Sequence, residues 1–176
     1  PVAMPQKKGE AIIVGKDDAP ITIVEYASMT CPHCADFQTK VFPELKTKYI
    51  DTGKVRYMLR EFPLDNLAAA AFMLARCAPK EKYFPLVDMF FEQQDAWTQN
   101  PMDGLFKIAQ LAGFTKESFD ACLKNETVAK GIIDVRNLAD QSFGVDGIPT
   151  FFLNGARVDG TSWTVVEAAL QRAGAR

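Results

Sequence analysis

Ile21-Thr22-Ile23-Val24-Glu25-Tyr26-Ala27 leads through the short link Ser28-Met29-Thr30 into Cys31-Pro32-His33-Cys34. The run up to Ala27 is β-branched and aromatic, the composition of a buried strand. A helix is expected to open at the cysteines, because proline is favoured in a first helical turn. Phe37, Val41, Leu45 and Tyr49 then recur at every fourth position as one apolar face. Pro43 is expected to interrupt and kink that helix, since it has no N–H to give. Residues 54–62 read as a second strand. Strand, helix and strand in this order predict parallel pairing with a right-handed crossover.

Beyond Pro63 the texture changes. Residues 67–78, 80–97, 101–112, 115–124 and 127–143 carry helical periodicity, with turn residues between them. Strand character returns at Thr150-Phe151-Phe152-Leu153, turns over at Asn154-Gly155 and resumes over 156–158. A last helix is expected near 161–172. The simplest layout is an α/β domain interrupted by an all-helical insertion, without internal repeats or low-complexity segments.

The 176 residues, 48% hydrophobic and 24% charged, suffice for one domain carrying such an insertion and are unlike a disordered or collagen-like chain. A formal net charge of -2, spread along the chain, offers no electrostatic footprint for nucleic acid or an anionic membrane surface. No apolar run approaches the roughly 18 to 20 residues that span a bilayer. Residues 1–10 lack the apolar core of a signal peptide, so a mature chain is expected.

A Cys-x-x-Cys that opens a helix after a strand suits redox chemistry. Its spacing lets two sulfurs meet across one turn, and the helix N-terminus stabilises a thiolate on the first of them. Cys31 is therefore expected to be the exposed, low-pKa nucleophile and Cys34 the more buried resolving partner. Pro32 is compatible with the first turn. His33, the sole histidine of the chain, can tune the pair near neutral pH. The alternatives are a structural disulfide, an inert buried pair or a metal site. A zinc site usually wants four ligands, and the chain offers this pair, one histidine and two widely spaced cysteines, so no metal is expected. The chemistry calls for no cofactor beyond a redox-active disulfide between Cys31 and Cys34.

Cys77 and Cys122 lie on two different helices of the insertion and are left as a natural match in an even count of four cysteines. A structural disulfide between them is expected, which argues for an oxidising compartment. The alternative is two buried free thiols behaving as small hydrophobes.

Glu25, the tetrad Cys31-Pro32-His33-Cys34, Phe37, Phe42-Pro43, the run Arg60-Glu61-Phe62-Pro63-Leu64 and Gly147-Ile148-Pro149-Thr150-Phe151-Phe152 together resemble the DsbA-type thiol:disulfide oxidoreductases of bacteria, over about residues 12–170. The resemblance implies a thioredoxin fold, with residues 1–62 and 144–176 forming the thioredoxin-like domain and 63–143 an inserted helical domain. It implies that Pro149 is a cis-proline folded against the active-site disulfide, and that Ile148, Pro149 and Thr150 bind an extended substrate peptide. Taken by itself, Pro149 reads as a residue that starts a strand. The resemblance also makes Glu25 a buried acid that exchanges protons with Cys34. From its strand alone, Glu25 reads equally as an edge-exposed residue or one paired with Lys54 or Arg56.

The function so implied is a periplasmic dithiol oxidase that donates its disulfide to folding secreted proteins with free cysteines, and that a membrane protein of the DsbB type re-oxidises. Only about ten residues precede the first strand, too few for the N-terminal dimerisation module of related isomerases, so a monomer is expected. The alternatives are an isomerase or reductase of the same fold, and a non-catalytic peptide-binding or chaperone-like module in which Met29, Phe151 and Phe152 form an exposed apolar groove. Met29-Thr30 departs from the aromatic pair that often precedes the motif in the best-known member of this family, a departure that bears on substrate range.

Overall fold

The computed structural model describes residues 11–176; residues 1–10, where the sequence carries no signal-peptide core, lie outside the described residues. The five-stranded sheet is built from β1 (Ile12–Val14), β2 (Ile21–Ala27), β3 (Val55–Glu61), β4 (Thr150–Leu153) and β5 (Ala156–Arg157), in the order β1-β3-β2-β4-β5. β2 and β3 run parallel, with Ile21 opposite Val55 and Ala27 opposite Glu61, as the strand–helix–strand pattern predicts. The other pairings are antiparallel.

The sheet is covered on both sides, which explains why β2 is apolar almost throughout. Ile21, Ile23, Tyr57, Leu59, Phe151 and Leu153 belong to the larger core. Their alternates Val24, Tyr26, Met58 and Phe152 meet Val135, Ala139 and Val145 in a smaller one. The hairpin from β4 to β5 turns at Asn154 (φ 49°) and Gly155 (φ 87°), the pair best able to take two successive positive φ angles. The Asn154 side chain accepts from the Thr22 amide at 2.9 Å, tying the turn to β2.

After Cys31 the chain forms α1 (Pro32–Asp36), a π turn over Phe37–Val41, α2 (Phe42–Leu45) and a second π turn over Lys46–Ile50. Pro43 thus does not break the helix. Its ring would collide with the carbonyl one ordinary turn back, and the chain takes up that conflict by widening the turn before it. The extra residue rotates the apolar face. Phe42 is buried where Val41 was expected, and its ring lies 4.8 Å from that of Tyr57.

Six helices lie between β3 and β4: α3 (Asn66–Cys77), α4 (Tyr83–Glu92), α5 (Gln94–Gln99), α6 (Pro101–Leu111), α7 (Lys116–Leu123) and α8 (Glu126–Phe143). The single helix expected over 80–97 is divided at Gln93, where ψ turns to 20°. Local chemistry marks the ends of these helices: Asp65 caps α3, Thr115 and Ser118 form a reciprocal capping box on α7, Asn125 caps α8, and Gly144 closes α8 in a left-handed conformation. Cys77 and Cys122 are joined, binding α3 to α7. Glu61, fully buried at the end of β3, accepts from Arg76 of α3 at 2.9 Å and from the Tyr83 hydroxyl of α4 at 3.1 Å. Phe72, Leu86, Phe90, Trp97 and Phe119 share one continuous core with the sheet. α9 (Trp163–Arg172) closes the chain against β4. Among the described residues, no helix is long and apolar enough to cross a membrane.

Candidate active site

Cys31 is the N-cap of α1. Its backbone is extended, and its sulfur accepts the Cys34 amide hydrogen at 3.1 Å, filling the role that a serine or aspartate oxygen usually has there. Pro32 and His33 occupy the exposed side of the first turn. Both cysteines are free thiols in this structure. Cys34 is fully buried, as expected, but Cys31 is only 4% exposed and not the open nucleophile that the sequence suggests. The reason is the loop before β4. The Ile148–Pro149 peptide bond is cis, and the Ile148 carbonyl lies 4.0 Å from the Cys31 sulfur.

The two thiols are driven apart in proton affinity. Cys31 is lowered to about 7, first by the hydrogen bond from the Cys34 side chain, with burial opposing and the Cys34 amide and His33 assisting. Burial pushes Cys34 far up, and the same thiol–thiol bond and the Glu25 charge add to that. One sulfur is thus prepared to be a thiolate and the other to keep its proton.

Glu25 lies in the central strand β2 and is 1% exposed, which overturns the edge-exposed reading. It is not paired with Arg56, which turns to the Thr22 hydroxyl at 2.7 Å. Its partner is Tyr57, whose hydroxyl donates to Oε1 at 2.5 Å, while Oε2 has no hydrogen-bond partner. Burial pushes the Glu25 carboxyl up to about 8; the Tyr57 bond opposes this and the Cys31 charge adds to it. Tyr57 was legible only as a strand residue, although the parallel register sets it diagonally beside Glu25.

On the other side of the dithiol, Ile148 is half-buried and Pro149 buried. The Thr150 hydroxyl donates to the Gly147 carbonyl at 2.5 Å. Arg157 braces the same loop, donating to the Gly144 carbonyl at 2.8 Å and meeting Asp146 at 3.1 Å. The apolar groove expected from Met29, Phe151 and Phe152 is absent. Met29 and Phe151 are fully buried, Phe152 nearly so, and the Phe151 ring sits 4.7 Å from that of Phe37. Cys77 and Cys122 bond to each other and take no part in the Cys31–Cys34 pair. Among the described residues, no cluster of three or more His, Cys, Asp or Glu is arranged to hold a metal.

A side chain that no sequence pattern signalled also reaches the site. Gln94, buried at the start of α5, donates its amide to the carbonyls of Met29 at 2.8 Å and Cys31 at 3.1 Å.

A family model described as thioredoxin matches residues 7–172. Among curated relatives, the chain is 37% identical over 165 residues to a Rickettsia bellii protein named as a protein-disulfide oxidoreductase, covering 92% of this chain and 64% of that protein. It therefore spans slightly less than two thirds of that relative's length. It is 30% identical over 150 residues to a Bacillus cereus protein named as disulfide bond formation protein D, covering 81% of this chain and 69% of that one. Among solved structures it is similar to Wolbachia pipientis alpha-DsbA1, with a TM-score of 0.86 and 30% identity, covering 96% of this chain and 92% of the other.

Proposed function

Since the chain belongs to the thioredoxin family and is similar within it to DsbA-type proteins, we propose that it is a thiol:disulfide oxidoreductase that donates the Cys31–Cys34 disulfide to folding secreted proteins. The observation that carries the proposal is the cap of α1, where the Cys31 sulfur receives the Cys34 amide beside the Ile148 carbonyl.

In the oxidised protein, a substrate thiolate attacks the Cys31 sulfur and the S–S bond breaks toward Cys34. Cys34 leaves as a thiolate and takes a proton, for which the protonated Glu25 carboxyl is the buried donor. A second substrate thiolate then attacks the substrate sulfur of the mixed disulfide and expels Cys31 as a stabilised thiolate. The client loses two electrons and two protons, and the Cys31–Cys34 disulfide becomes a dithiol. Ile148, Pro149 and Thr150 would lie along the substrate peptide, with the Ile148 backbone offered to it. The electrons pass through the cysteine pair alone, without a bound cofactor or metal.

The Cys77–Cys122 bond supports an oxidising, periplasmic setting. A monomer fits a site assembled wholly within one chain, and re-oxidation falls to a membrane protein of the DsbB type. Residues 63–143 are read as a helical domain inserted into a thioredoxin-like domain of 1–62 and 144–176. The second reading is the opposite direction, reduction or isomerisation, because the burial of Cys31 opposes the stabilisation of its thiolate. Cys31 is lowered only to about 7, the range of thioredoxin and not the roughly 3.5 of DsbA itself.

Equilibration with graded glutathione buffers separates the two. A potential near about −120 mV, the value of DsbA itself, makes the protein a disulfide donor, and one near about −270 mV, that of thioredoxin, makes it a reductase. Loss of all exchange activity in the Cys31→Ser, Cys34→Ser double variant is the expected control. Retained activity there would leave only a peptide-binding module.

A further inference from the structure

The link from Ser28 to Cys31 is held by side chains and backbone from beyond β3. The Leu64 amide donates to the Ser28 hydroxyl at 3.2 Å. The Thr30 hydroxyl donates to Asp65 at 2.9 Å, and the other oxygen of the same carboxylate caps α3 by accepting from the Ala68 amide at 2.8 Å. The third hold is Gln94, whose single amide nitrogen bridges the carbonyls of Met29 and Cys31.

The third hold bears most directly on the chemistry. The Cys31 carbonyl already accepts the Ala35 amide at 3.1 Å, the first hydrogen bond of the helix, and Gln94 takes its second lone pair. By gripping the carbonyls on either side of Thr30 together, the Gln94 amide fixes the direction in which the chain enters the helix. That direction leaves Cys31 extended (φ −85°, ψ 115°) and brings its sulfur back onto the Cys34 amide. Gln94 is itself 7% exposed, so neither carbonyl could readily exchange it for bulk water.

We propose that Gln94 is a positioning residue for the dithiol, reaching in from α5 to fix the turn that presents the Cys31 sulfur to the Cys34 amide. This rests on the reading of Cys31 as the thiolate nucleophile. The helical segment thereby acts on the chemistry through the backbone, because the hydrogen bonds that fix the turn before the thiolate are completed from α5.

The test compares the reduced full chain with Gln94→Met, which keeps the length and loses the donors, and Gln94→Glu, which keeps the shape and reverses the polarity. The thiolate of Cys31 is titrated by its ultraviolet absorbance, with the glutathione equilibrium and the melting temperature measured alongside. The ionisable groups facing Cys31 are Cys34 and His33 on its own helix and Glu25 on β2; both variants leave these in place, but Gln94→Glu adds a carboxyl of its own, so Gln94→Met is the variant that separates positioning from charge. At a pH below the wild-type midpoint, the thiolate fraction should fall about threefold in Gln94→Met and about tenfold in Gln94→Glu, the latter equal to one full unit of midpoint. The glutathione equilibrium should shift in the same order toward a less oxidising pair, since the reduced form has lost stabilisation. A lowered melting temperature with superimposable titration curves overturns the proposal and leaves Gln94 a merely structural residue. A wild-type Cys31 that titrates like an ordinary thiol removes the nucleophile reading itself, and the proposal with it. Should Gln94→Met not fold, the neutral Gln94→Asn, which keeps the amide on a side chain one carbon shorter, carries the comparison, with the same titration expected to move and the same superimposable curves overturning the proposal.

Discussion

The Tyr57 hydroxyl donates to Oε1 of Glu25 at 2.5 Å across the parallel β2–β3 pair, and the second oxygen of that buried carboxyl has no partner. The first oxygen is anchored, which leaves Oε2 as the oxygen free to carry a proton. Tyr57 is held in turn by the ring of Phe42, which the π turn has rotated into the core.

Replacing Tyr57 with Phe removes a bond that favours the charged carboxylate, so the Glu25 carboxyl should titrate above its present value of about 8. Its carbonyl-stretch titration by infrared difference spectroscopy would move to higher pH. A curve unchanged from wild type would mean that the hydroxyl does not tune the acid. Urea melts should also show a loss of about 1–3 kcal/mol at a pH where Glu25 is ionised, the usual cost of an unpaired buried acceptor.

Glu25→Leu should slow the thiol exchange and yet stabilise the reduced protein at neutral pH. The carboxyl is raised from 4.5 to about 8, so the folded state holds its proton where the unfolded chain has released it. Wild-type stability therefore falls as pH rises through that window, by about 1.4 kcal/mol per unit at most. The variant should lose this slope. Cys31 acts in the opposite sense at higher pH, because its lowered thiol adds stability between about 7 and 9. Urea melts at pH values spanning both windows check the two signs, and parallel slopes in wild type and variant would sink the assignment to Glu25.

Alkylation of the reduced protein should label Cys31 with a midpoint near 7 and leave Cys34, buried and raised, unlabelled through the neutral range. Peptide mapping by mass spectrometry at several pH values reads both. Preferential labelling of Cys34 would reverse the roles of the two sulfurs.

The Cys77→Ser, Cys122→Ser double variant should lose ~4 kcal/mol of stability, the chain-entropy value for a separation of 45 residues. Its thiol exchange at Cys31 should remain. Alkylating the protein denatured without reductant and again after reduction gives the bridge directly, and labelling of Cys77 and Cys122 before reduction would exclude it.

The parts of this architecture that were legible in the sequence are those governed by neighbours along the chain. The apolar run of β2, the proline after Cys31, the Asn154-Gly155 turn and the turn residues between the helices that follow β3 each express a local preference, and the fold agrees with them. What escaped was set across space. The i, i+4 pattern named Val41, but Pro43 forces a wider turn and Phe42 takes the buried place. Met29 and Phe151 suggested an exposed groove because nothing local announces the helices that cover them. Gln94 gave no signal at all, since its partners are backbone carbonyls 65 and 63 residues earlier, which any residue type would supply.

The ends of the sheet have a consequence for a protein proposed to work among unfolded chains. An open strand edge is a template on which an extended client would add itself and stay. Among the described residues, the outermost strands are β1, with three residues, and β5, with two. Margins this short offer little backbone to another strand, so a client engaged only along the Ile148–Thr150 loop and by its sulfur is free to leave once its disulfide is made.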